Sequence, residues 1–125
     1  MKLFNEKNGK WSSKVNFVDE NNVILGYDLS QDCCEHAGWF IADAPVGVIM
    51  EQKDQNPDLT GYSFDVEYYE LRKNTSELDE GGIAIFKITN GIDDKFIHLF
   101  NAHNGYYNHG FIFIDKEKTI NETWI

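Results

Sequence analysis

Apolar and polar positions exchange along this chain in short runs whose period is mostly two, the spacing of strands. In the run from Lys14 to Asp19, Val15 and Phe17 fall on one face and Asn16 on the other. Leu3-Phe4 and the run from Trp11 to Val18 are separated by Lys7-Asn8-Gly9-Lys10, a hairpin signal. Asp19-Glu20-Asn21-Asn22 reads as a turn into a strand over Val23–Asp28, where Gly26 marks a bulge or a close backbone approach. Between Ser30 and Gly38 the period changes. Ser30 suits an N-cap, Asp32 and Glu35 suit a helix N-terminus and Gly38 suits its end, which predicts one or two short helical turns around residues 30–37. Residues 39–42 predict a strand, Pro45 precedes a short apolar piece over 46–50, and residues 51–62 predict a polar surface loop. Residues 63–71 alternate, with Phe64, Val66 and Tyr68 against Asp65, Glu67 and Tyr69, as in a strand with one solvated face. A charged loop over 72–82 leads to a strand over 83–89 and a turn at Asn90-Gly91.

Two runs rich in aromatic and β-branched residues, 96–100 and 111–114, flank Asn104-Gly105-Tyr106-Tyr107. Because Asn-Gly supplies the positive φ of a tight reversal, the sequence predicts a β-hairpin at the centre of the fold. A turn over 115–118 and an alternating strand over 119–125 complete eight or nine strands. The expected fold is mainly β, an antiparallel meander sheet, sandwich or barrel-like arrangement, with the helical turns around 30–37 its sole helical content. The central runs are apolar on both faces, so each face needs cover from a second sheet, the short helix or another copy of the protein. A homodimer satisfies that pattern, and so does a closed barrel or sandwich.

The 125 residues predict a single domain over 1–125, large enough to fold on its own core without metal or disulfide staples. Eleven basic residues against twenty-one acidic ones give a formal net charge of −10. So negative a surface repels phosphate backbones, which disfavours direct nucleic-acid binding and anionic membranes, and fits a basic protein partner or simple solubility better. The N-terminal stretch lacks an apolar signal core and no apolar run spans a bilayer, so a cytoplasmic location is expected. Cys33 and Cys34 are adjacent, with Cα atoms about 3.8 Å apart, below the usual range for a disulfide.

Two stretches carry candidate chemistry. Asp32-Cys33-Cys34-Glu35-His36 gathers thiols, carboxylates and an imidazole, all competent metal ligands, and His98, His103 or His109 could complete a tetrahedral set. The spacing argues against it, since structural zinc sites separate paired cysteines by two to four residues. A nucleophilic Cys33 or Cys34 is opposed by Asp32 and Glu35, whose charge raises a thiol's pKa. The plain alternative is one cysteine used as a small core residue. In the second stretch, His103 and His109 bracket Tyr106 and Tyr107. Such a tip can bind a metal, respond to pH near neutrality, or contact a partner through its tyrosines. No catalytic residue and no cofactor is assigned. The candidate binding residues are Cys33, Cys34, Glu35, His36, Asn104, Tyr106, Tyr107 and His109, with Cys33, His36, His103 and His109 the weak metal candidates.

On Gln31-Asp32-Cys33-Cys34-Glu35 and Asn104-Gly105-Tyr106-Tyr107 the chain resembles a family of small bacterial and phage proteins with a Cys-Cys-Glu motif and a later Asn-Gly-Tyr-Tyr motif. Asn108 stands where that pattern has serine. The resemblance implies a bacterial or phage origin, assigns no activity, and leads one to expect the two motifs to meet in space. Three functions remain: a self-associating, non-enzymatic interaction domain; an acidic inhibitor of a basic or nucleic-acid-binding host protein; and a metal- or thiol-dependent enzyme built on the Cys/His cluster.

Overall fold

A computed structural model describes residues 1–6, 13–29, 36–52, 54, 56–73, 80–103, 110–116 and 118–125. Among them there are strands and no helix: β1 (Lys2–Glu6), β2 (Lys14–Val18), β3 (Val23–Asp28), β4 (His36–Ala42), β5 (Ser63–Phe64), β6 (Glu70–Lys73), β7 (Glu80–Thr89), β8 (Asp94–His103), β9 (Gly110–Asp115) and β10 (Lys118–Trp124). They form two antiparallel sheets. The first has the order β1-β2-β3-β9-β10; the second has β4-β8-β7-β5, with β6 also paired to β7. The mainly β sandwich expected from the alternation is present, and neither sheet closes into a barrel.

Inner faces of the two sheets meet in one core. Val15, Phe17, Leu25, Tyr27 and Phe113 from the first sheet oppose Ala84, Phe86, Ile88, Ile97 and Leu99 from the second. Phe86 and Phe113 pack with ring centroids 4.9 Å apart. Polar bonds span the gap as well: Tyr27 Oη–H donates to the Phe100 carbonyl at 2.8 Å, and Asn101 Nδ2–H to the Ile125 carbonyl at 2.8 Å.

The central hairpin is not there. β8 pairs with β4 and β7 while β9 pairs with β3 and β10, so the runs 96–100 and 111–114 belong to opposite sheets. Each run is therefore covered by a facing sheet; the Asn-Gly-Tyr-Tyr segment between them lies outside the described residues. Residues 63–71 are not one strand either. Phe64 registers with Ile88 and Glu70 with Ile85, leaving five residues opposite two. The intervening chain swings out and back, closed by Asp65 N–H to the Lys87 carbonyl and Tyr68 N–H to the Asp65 carbonyl. Its two tyrosines go opposite ways, Tyr69 to Phe86 and Phe111 in the main core and Tyr68 to Phe96 on the outer face of the second sheet.

Predicted turns at 19–22, 90–91 and 115–118 hold where described. Asn22, Lys116 and Gly91 take positive φ values of 61°, 49° and 89°. Asp19 does more than turn the chain: its buried carboxylate accepts N–H bonds from Asn21, Val23 and Phe64, each at 2.9 Å. The last of these ties the first sheet's turn to the second sheet's β5.

Candidate binding cleft

The second sheet's outer face is apolar too. Phe40, Ile83, Ile85, Phe96 and Phe100 form a separate buried cluster. Its cover is the strap of residues 43–52 after β4, which lays Val46 and Ile49 on the cluster, together with Tyr68. Neither the helix nor a second copy is needed there.

Polar contacts fix the strap. Val46 N–H donates to His98 Nε2 at 3.1 Å, and Ile41 N–H to Gln52 Oε1 at 2.9 Å. Lys95 Nζ reaches Asp43 Oδ1 at 3.4 Å across the sheet edge. His98 is fully buried and stacked on Phe40, with centroids 4.3 Å apart and planes 11° off parallel. Since Nε2 accepts, Nδ1 carries the hydrogen and donates to the Phe96 carbonyl at 3.0 Å. Burial lowers the His98 pKa to about 4, and the Arg72 charge adds to this against bonds to the Phe96 and Phe40 backbones. With both ring nitrogens engaged, His98 cannot complete a metal set with the cysteines.

On the same outer face Glu70 accepts from Arg72 Nε and from Tyr68 Oη–H. The Arg72 bond holds the Glu70 carboxyl below its ordinary pKa, and burial pushes the Tyr68 phenol above its own.

Where the strap returns past β4 it leaves a cleft of about 590 Å³. It runs along the β4 edge and is lined by Gly38 and Phe100 on the sheet's outer face, Trp39, Ile49, Met50, Glu51 and Gln52, with Ser13, Leu29 and His36 also lining it. Gly38 is required here, because a Cβ on it would stand 2.9 Å from Phe100 Cζ. His36 is exposed and lies on the Phe100 ring at 5.1 Å, with planes 15° off parallel. Trp39 is half-buried and packs edge-on against Phe17 at 5.3 Å, so its ring lies on the inner face of the sheet, opposite Phe100. No lysine or arginine is among the described lining residues, and Glu51 is exposed.

Of the residues singled out from the sequence, His36 alone is described as a side chain at this cleft. It begins β4 rather than ending a helical turn, and Ala37 continues the strand. Cys33, Cys34, Glu35, Asn104, Tyr106, Tyr107 and His109 lie outside the described residues, and His103 is described only as the last residue of β8. The strands next to both motifs are neighbours: His36 registers with Ala102, two positions before Asn104. Among the described residues no group of three His, Cys, Asp or Glu side chains is placed to hold a metal ion. Sequence reasoning passed over Gln52, Met50 and the structural part of His98; the single available signal was a histidine amid five otherwise apolar positions of β8. No family model, no curated protein and no solved structure matches the chain.

Proposed function

We propose that this chain is a non-enzymatic binding domain that engages another protein through the cleft beside β4. The observation that carries this reading is the cleft's composition. Phe100 on the outer face, Trp39 at the edge strand and a half-exposed Met50 line it, with a few polar groups among them. Aromatic residues and methionine are the side chains enriched in protein interfaces, and a rigid sheet beneath them keeps the ordering cost of binding low. The His36 ring, the residue after the Cys-Cys-Glu motif, borders the same surface. That supports a working surface that includes His36 and the Cys33-Cys34-Glu35 motif preceding it in the chain, with Asn104, Tyr106, Tyr107 and His109 proposed as further contacts.

A photo-crosslinking amino acid at position 50, with position 92 as the control, tests this. Ile92 is 90% exposed at the tip of the β7–β8 turn and lies away from the cleft. Adducts with one defined protein from position 50 and none from position 92 are expected. Equal labelling from both positions, or none from 50, refutes the assignment. Light scattering shows whether the adduct partner is a second copy.

A further inference from the structure

The outer edge of β4 carries an inference that rests on this binding-domain reading. β4 ends its sheet, with β8 on one side and no strand on the other among the described residues. The Ile41 N–H points away from β8, since it donates to Gln52 Oε1. Main-chain groups alternate along a strand with the same period as side chains, so Trp39, two residues earlier, turns its N–H and C=O toward the cleft. The Gln52 side chain thus does for Ile41 what a neighbouring strand's carbonyl does in a ladder. Its own amide continues the imitation by donating to the Asp54 carbonyl at 2.6 Å. A side chain closing an edge in this way also guards it against casual pairing.

We infer that the β4 edge is a strand-addition site for an extended, lysine- or arginine-rich segment of another protein, and that Gln52 fills part of that segment's place in the free domain. The entering segment pairs with Trp39, displaces the Gln52 carboxamide from Ile41, and sets alternate side chains against Phe100 and Met50. Main-chain bonds give such a complex its affinity and the alternating pockets its selectivity. Charge decides between occupants. The cleft has Glu51 and no described basic lining residue, in a chain of net charge −10, so a basic segment is attracted while a second copy brings ten more negative charges to the same edge.

Selection from a random displayed-peptide library against the intact protein provides the test. Selected peptides are expected to be basic, rich in β-branched residues and free of proline at their centre. They should protect the Trp39 amide from hydrogen exchange at one peptide per chain. N-methylation at the pairing positions should weaken binding about tenfold, and Q52A should tighten it about fivefold, the worth of one displaced hydrogen bond. Selected peptides that are acidic, that bind equally well when N-methylated, or that leave the Trp39 amide unprotected overturn the inference. So does Trp39 protection that rises with protein concentration alone, which gives the edge to a second copy. If position 50 crosslinks to a partner while the library yields nothing, the binding-domain reading stands and strand addition falls.

Discussion

Replacing His98 by glutamine should change how the protein responds to acid more than how it behaves at neutrality. In the native chain the neutral ring accepts from Val46 and donates to Phe96, without room for a second proton. Burial holds its pKa at about 4 against an unfolded value of 6.5. The unfolded chain therefore binds the extra proton between these values, and stability falls as pH drops from about 6.5 to 4. At about 1.4 kcal/mol per unit, the loss attributable to His98 is about 3 kcal/mol, complete near pH 4 and absent above pH 7. In H98Q the Oε1 atom can take the Nε2 position and keep the Val46 bond, while the proton-binding site is gone. Urea unfolding followed by tryptophan fluorescence from pH 7.5 to 4 should give a native curve steeper than the H98Q curve. The native stability minus that of H98Q should fall by about 3 kcal/mol on the way down, through zero if the two start close together. Carboxylates titrate in both proteins and cancel in that difference. Parallel curves, or a His98 titration near 6.5 by NMR, would refute the argument.

Asp19→Ala leaves the buried Val23 and Phe64 N–H groups without an acceptor, and should cost about 2–5 kcal/mol in chemical denaturation. Gly91→Ala meets no atom within 4 Å but keeps a φ of 89°, so it should cost about 1–2 kcal/mol with the fold intact by NMR. Gly38→Ala drives a methyl into Phe100; about 1–3 kcal/mol of destabilisation is expected, with amide shifts concentrated at His36, Trp39 and Met50.

Local chemistry is where the sequence was most informative. Val15 and Phe17 face the core as their spacing required, and the Asp19, Asn90 and Lys116 reversals sit where turn residues cluster. Asn90 Oδ1 accepts from the Ile92 and Asp93 N–H groups, the side-chain turn its residue type favours. Partner choice was illegible because it is non-local. Phe96 to Phe100 and Phe111 to Ile114 are equally β-prone, and nothing in either run records that one pairs with β4 and β7 and the other with β3 and β10. An Asn-Gly pair between two such runs looks like a hairpin, yet β8 and β9 lie in different sheets. The excursion over residues 65–69 was hidden because its first half alternates as a strand does. At the site, Gln52 and Val46 earn their places through contacts 11 and 52 positions away in sequence, which no local pattern encodes.

The bonds from Tyr27 to Phe100 and from Asn101 to Ile125 have a mechanical meaning for the sandwich. Two layers in contact only through hydrocarbon are free to shear, because dispersion forces hardly distinguish one offset from the next. Directional links through the middle select a single offset, acting as dowels between boards. A chain bearing Tyr27→Phe and Asn101→Leu should keep its ladders and far-ultraviolet dichroism while the near-ultraviolet signal of its packed aromatic rings fades.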